Sequence, residues 1–461
     1  MVGKQRERPG DDTLQAQTMR KVTVRLIPLL MLGYVVSYID RINIGFAKFG
    51  MERSFGMSAT QYGFAAGIFF LGYVLAEVPS NIAMARFGAR VWLTRIMITW
   101  GIIAGSLAFA GNLETVYVLR FLLGIAEAGY FPGILLYLTH WYPNAYRPKA
   151  VATVMVAIPL ASVLGGPLNG WILSALGGVL GLDGWRWIFL LGGVPAVVLG
   201  VVFFLTVSDR PADARWLTAE QRAWLARTLA DEERDRAATT SPASHRAVFR
   251  DRKVLGLCAA YFLLLSGAYP LAYWMPSVID NVGEDLSSVQ VGWLSALPFL
   301  LAAICMFVTG RLVRDERSSV PVLVALGVSV VTFVLTAVSL GTPLLALAAI
   351  CVATMAAQTA KPLFWSLPTA FLAGAGATSG LALINSLGNL AGFASPFAVG
   401  WIQDASGGSD GLSMSVMIAA NVLAMVVIAG MWLTARRTRG SAVPERPAPG
   451  ASRPAPGPSR P

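Results

Sequence analysis

The chain has 461 residues, of which 55% are hydrophobic and only 13% charged. A soluble domain carries about 25% charged residues, so a water-soluble globular protein is excluded. The formal charge of +11 does not point to nucleic acid, because the basic residues gather in alternate loops and the two tails, as expected for a multi-pass membrane protein.

Twelve apolar helices are predicted, at 22–47, 60–84, 92–110, 115–141, 150–174 and 188–207, then 254–279, 291–312, 321–340, 344–367, 378–402 and 413–435. In the first, the uncharged run from Leu26 to Ile39 is too short to cross a bilayer, which takes about 20 residues. The helix must therefore continue through Asp40 and Arg41 toward Ala47. Each charge costs roughly 2.5–3.5 kcal/mol near the bilayer centre. Either the pair caps the helix at the interface, or it does work inside the membrane.

One side receives the tail with Lys4, Arg6, Arg8, Arg20 and Lys21, and the loops with Arg86 and Arg90 and with Arg147 and Lys149. It also receives segment 208–253, the loop with Arg314 and Arg317, and the tail with Arg436, Arg437 and Arg439. The opposite loops hold Lys48, Arg53 and Arg186. Both termini are thus expected in the cytoplasm, with the chain in the cell (cytoplasmic) membrane. No cleavable signal peptide is expected in the long polar start, and Cys258, Cys305 and Cys351 lie in apolar spans without a disulfide pattern.

The chain then divides into a tail (1–21), a six-helix half (22–207), a linker (208–253), a second six-helix half (254–435) and a disordered tail (436–461). In the linker, Thr218 and Gln221 form a capping box. Trp216, Leu217, Trp224, Leu225 and Leu229 follow as an apolar stripe, giving an amphipathic helix on the membrane surface. The halves resemble each other: Gln61, Gly63, Phe70 and Leu71 match Gln290, Gly292, Phe299 and Leu300 at a constant offset of 229, which also carries Pro167 onto Pro396. The predicted fold is all-α, with twelve transmembrane helices in two pseudo-symmetric halves around an axis along the membrane normal, and a site between them.

The charged residues inside the spans carry the chemistry. Arg120, Gly124 and Glu127 are spaced four and seven apart, so they share one face of the fourth helix, with the charges about 10 Å apart along its axis. That face suits a central cavity, where a change in Arg–Glu distance would move a proton on or off Glu127. The alternative is a permanent ion pair joining helices. Asp40 and Arg41 point about 100° apart. The guanidinium fork of Arg41 matches a carboxylate with two bonds, which marks it for an anionic substrate, and Tyr38 can add a hydroxyl. Glu77, before Pro79, reads as a gate. Lys361 and Trp365 in the tenth span, and Asn385 and Asn389 one turn apart in the eleventh, are further substrate candidates. Lys361 could equally snorkel to the interface, and the asparagines could bond a neighbouring helix.

The segments SYIDRINIGFA (37–47), EVPSN (77–81), RFGAR (86–90), VLRFLLGIAEAGYFPG (118–133), SDRPADARWLT (208–218) and INSLGNLAGF (384–393) resemble the anion:cation symporter family of the major facilitator superfamily. That family includes carriers of sugar acids, tartrate, phthalate and other aromatic acids. The resemblance implies that the Asp40–Arg41 pair, with Glu127, serves proton coupling and anion binding, and that substrate contacts lie in spans ten and eleven; Arg120 joins the proton-coupling set through its shared face with Glu127. The resemblance also implies gating at Arg86 and Arg90, although the acid usually found before that basic pair is replaced by Ala85, so other contacts should hold the gate.

The expected function is import of an organic carboxylate with protons by alternating access, as a monomer in the lipid bilayer and without a cofactor. The alternative is a proton-coupled exporter on the same fold. An enzyme is disfavoured for lack of a metal-ligand cluster, phosphate loop or nucleophile–base pair, and a channel for lack of any ring-like repeat.

Overall fold

The computed structural model describes residues 11–239, 251–282, 286–312, 319–371 and 376–440. Masses of apolar side chain form twelve helical spans: Thr13–Phe55, Ala59–Phe87, Ala89–Phe109, Leu113–Thr139, Arg147–Leu176 and Gly184–Thr206, then Arg252–Asn281, Ser288–Leu312, Val320–Val338, Pro343–Pro368, Gly380–Ala405 and Asp410–Thr434. Every predicted helix has its counterpart. An even number of such helices puts the two ends of the described chain, near residues 11 and 440, on one face of the bundle, and Phe55–Ala59 on the other.

The sequence repeat is a repeat of structure. Ser58 and Gln61 close a reciprocal capping box at the start of the second span, with bonds of 2.9 and 3.3 Å. Ser287 and Gln290, 229 residues later, close the same box at the start of the eighth with the same distances. Gly63 and Gly292 then admit close backbone contact. A Cβ on Gly63 would lie 2.3 Å from the Pro396 carbonyl oxygen, and one on Gly292 would lie 2.4 Å from that of Gly166, next to Pro167. Small residues of this kind let membrane helices approach where no hydrophobic effect drives them together. The second span thus packs on the eleventh, and the fifth on the eighth, which joins the halves along two matching seams.

Two local features depart from the expected outline. The first helix runs on to Phe55, so Lys48, read as a loop residue, is inside it and only 4% exposed. The fourth span is broken: one helix ends at Glu127, Ala128 is extended, Gly129 is left-handed (φ 84°), and a second helix begins at Tyr130. The carbonyl exposed by that break at Ala128 accepts a 2.6 Å bond from Ser80 Oγ, as a buried free carbonyl requires.

The linker helix occupies Ala219–Thr239, with the expected Thr218–Gln221 capping box. It lies on the first half: Lys21 donates to Gln221 at 3.1 Å, Trp216 stacks on Trp141, and Glu232 accepts from the Asn144 backbone N–H. The tail expected to be disordered falls outside the described residues beyond 440, as do Arg314 and Arg317.

Candidate functional site

Glu127 is the centre of the charged cluster because the chain stops being helical there. It is fully buried (0% exposed). Its Oε1 accepts from Arg41 Nε at 2.8 Å and Arg41 Nη2 at 2.7 Å, and also from the hydroxyl of Ser37. Its Oε2 is buried without a partner. All three donors come from one face of the first span, since residues 37 and 41 are one helical turn apart. One carboxylate oxygen is therefore saturated while the other is bare.

Arg41 remains 15% exposed. Its guanidinium lies 5.4 Å from the Phe69 ring centre and 5.0 Å from that of Tyr73, contacts that attract a cation without neutralising it. Tyr38, one turn earlier on the same span, is half-buried.

The face shared by Arg120 and Glu127 does not bring them into an ion pair. Arg120, also 0% exposed, donates to the backbone carbonyls of Ala65 and Ala66 at 3.2 Å each, leaving Nη1 without a partner. A Cβ on Gly124, between the two charges, would lie 2.0 Å from the Phe69 carbonyl oxygen. The stripe thus faces the second span at van der Waals distance. Arg120 fastens that seam, and the acid's partner comes from the first span instead.

Asp40 is 1% exposed, with neither oxygen bonded. Beside it Asn169 donates to Asn43 at 3.0 Å. Gly192 leaves room for both groups: a Cβ there would stand 2.6 Å from Asn43 Nδ2 and 3.4 Å from Asp40 Oδ1. An ionised carboxylate without hydrogen-bond partners in such a place is costly.

In the second half, Lys361 points inward, its ammonium 5.7 Å from the ring centre of Tyr269. Among the described residues no carboxylate forms a salt bridge with it. Tyr269 donates to Asn389 Oδ1 at 3.0 Å, which leaves the Asn389 amide N–H groups pointing elsewhere. Trp365 donates to the Tyr261 hydroxyl at 3.3 Å and meets its ring edge-on. Asn385 is half-buried on the same helix as Asn389. Tyr269 also packs on Phe70 of the first half at 4.8 Å, and Phe70 on Phe69 at 5.2 Å. A continuous row of rings therefore runs between the halves from Arg41 to Lys361.

The residues expected to gate behave differently from one another. Glu77, 5% exposed, accepts from Ser386 Oγ at 3.3 Å and so bridges the halves. Arg90 does not reach the second half: its backbone N–H donates to Asp209 at the start of the linker and its Nε to the Phe204 carbonyl. Arg86 is exposed, with its guanidinium over the neighbouring Phe87 ring. With Ala85 in place of an acid, Asp209 is the carboxylate that fastens this turn, close against Gly88, whose φ is +84°.

A narrow cleft between spans one, five, seven and eight, with room for about a single water, is lined by Ile42, Phe46, Ser162, Met275, Ser295 and Phe299, among others. It has no charged side chain and cannot seat an anion. Three members of the site were beyond sequence reasoning: Ser37, Tyr269 and Tyr261 lie in apolar stretches with nothing in their spacing to distinguish them.

The Major Facilitator Superfamily model matches residues 30–396. A protein of Agrobacterium vitis named, provisionally, a tartrate transporter is 41% identical over 439 residues, covering 94% of this chain and 98% of that protein. The Quinolone resistance transporter of Acinetobacter baumannii is 37% identical over 424 residues, covering 91% and 94%. Among solved structures, a D-xylose-proton symporter overlaps with a TM-score of 0.70 at 18% identity, covering 88% of this chain and 97% of its own. A bacterial homologue of the human lysosomal transporter Spinster, facing inward, gives 0.70 at 19%, covering 90% and 97%. The fold, the family model and the curated relatives agree: this chain is a membrane transporter, and it belongs to the major facilitator superfamily.

Proposed function

We propose that this transporter imports an organic carboxylate together with protons, by alternating exposure of a site between its two halves. The observation that carries the reading is the Arg41–Glu127 pair. Arg41 gives both donors of its fork to a single oxygen of Glu127, and its side chain stays 15% exposed while the glutamate is fully buried. An arginine so placed can hold either its own glutamate or a substrate carboxylate, but not both with full geometry. A proton arriving on the bare Oε2 removes the charge that holds Arg41 and releases the fork for the anion. When the anion leaves, Arg41 returns to Glu127 and the proton is expelled. Asp40 supplies a second proton site, and Ser37 keeps the glutamate in place through the exchange.

The second half supplies the far wall. Lys361, the Asn389 amide and Trp365 offer donors and a flat surface to the rest of the anion. Lys361 suits a second carboxylate, in keeping with the tartrate named for the Agrobacterium relative. In this reading the basic loops mark the cytoplasmic side, with both termini in the cytoplasm, and the transporter works as a monomer in the cytoplasmic membrane. The export reading draws on the name of the Acinetobacter relative, but a fixed arginine engaged by an acid argues for an anionic cargo moving with protons.

The test is uptake into proteoliposomes with an inward proton gradient, using a panel of tartrate, sugar acids and aromatic acids. At least one acid should accumulate above its outside concentration and be lost when a protonophore is added. Accumulation indifferent to the protonophore, or driven by an outward gradient, would reject proton-coupled import.

A further inference from the structure

On the face of the bundle that carries Phe55–Ala59, a carboxylate of one half caps a helix belonging to the other. Asp404, near the end of span eleven, accepts from Ser58 Oγ at 2.7 Å and from the backbone N–H groups of Ala59 and Thr60 at 3.0 and 2.8 Å. These residues are the N-cap and first turn of span two. A helix leaves its first N–H groups without internal partners, and its N-terminus carries a partial positive charge. Ser58 already uses its oxygen to accept from Gln61 within its own capping box, so its hydroxyl proton is free to be given across the seam.

The arrangement is one-sided. The same capping box recurs at Ser287–Gln290 in the second half, but the position 229 residues before Asp404 is Ala175, which has no carboxylate to offer. A second tie lies close by. Lys48 donates to Ser277 at 3.2 Å across the halves and lies over the rings of Tyr62 and Trp274 at 5.4 and 5.7 Å. Trp274 in turn donates to Gln403, the neighbour of Asp404, at 3.2 Å.

We propose that Asp404 is the latch of this face: it holds the halves together there, and it must release the second span whenever the central site opens on that side. This rests on the alternating-access reading above. Because the latch is a cap made in trans, breaking it destabilises one conformation without touching the residues assigned to anion or proton.

The experiment uses Val399→Cys as reporter, in a protein with Cys258, Cys305 and Cys351 replaced by Ala and held in nanodiscs. Val399 is 1% exposed and packs among first-half side chains. Asp404→Ala should speed its labelling by a maleimide by roughly 2- to 30-fold, the range set by losing a helix cap. Ala59→Pro keeps the carboxylate but deletes one donor, at the first helical position, which tolerates proline and follows the extended Ser58. It should give a smaller rise in the same direction. Unchanged labelling in either variant overturns the latch. Failure of the underlying reading looks different: a Thr60→Cys/Asp404→Cys pair joined by a short cross-linker should stop tartrate uptake until the cross-link is cleaved. Uptake that continues while cross-linked would reject alternating access itself.

Discussion

Replacing Arg41 by lysine keeps the charge and removes the fork. In this structure Nε and Nη2 of Arg41 both bond Glu127 Oε1, at 2.8 and 2.7 Å, and the guanidinium plane lies over two aromatic rings. A lysine ammonium is a point donor that cannot reproduce the planar two-bond contact, so it would engage neither Glu127 nor a carboxylate as Arg41 does. Truncating one member of a buried, hydrogen-bonded charge pair costs on the order of 2–5 kcal/mol. At 1.4 kcal/mol per factor of ten, that is a loss of roughly 30- to several thousand-fold in affinity. The assay is titration calorimetry of purified Arg41→Lys protein with tartrate, at a pH low enough to keep the wild-type site protonated. Folding is checked by gel filtration, because the substitution preserves charge and most of the apolar stem. Wild-type affinity in the lysine variant would show that Arg41 is structural, and the exchange mechanism would fall with it.

Gly124→Ala should yield little inserted, monodisperse protein, since the new methyl would lie 2.0 Å from the Phe69 carbonyl oxygen with backbone on both sides; normal expression and thermal stability would refute that packing. Ser80→Ala orphans the Ala128 carbonyl at the break in span four and removes the acceptor of Trp92 Nε1. An unsatisfied buried polar group costs about 1–3 kcal/mol, so the melting temperature should drop, and an unchanged value would mean other groups satisfy the break. Lys361→Met should weaken tartrate far more than gluconate, because only a dicarboxylate needs a second cation. Equal losses for both ligands, by calorimetry, would remove Lys361 from recognition.

Much of the fold could be read from the chain because its determinants are local or repeated. Span lengths follow from apolar runs, and the 229-residue offset recurs in the capping boxes at Ser58 and Ser287 and carries Gly63, packed at Pro396, onto Gly292, packed at Gly166–Pro167. The partners inside the site were harder, because they are chosen by helices distant in sequence. Helical spacing put Arg120 and Glu127 on one face, but it could not say that span two would present bare carbonyls to the arginine. Nor could it say that Glu127 would meet a guanidinium 86 residues earlier in the chain. The break after Glu127 did have a signal: Gly129 followed by Pro132, a glycine suited to the left-handed turn and a proline suited to the first turn of a new helix. Lys48 was misplaced because a lone lysine after an apolar run reads as a loop, whereas its burial is made tolerable by Glu52 one turn on, by Ser277 and by the rings of Tyr62 and Trp274.

The central claim is that Arg41 alternates between Glu127 and the substrate carboxylate, with the proton on Glu127 deciding which. Glu127→Gln mimics the protonated acid in shape while fixing its charge at zero. In proteoliposomes it should keep tartrate exchange between labelled and unlabelled pools at a substantial rate, yet lose all accumulation driven by an inward proton gradient. Gradient-driven accumulation of tartrate at the wild-type rate in Glu127→Gln would contradict the account.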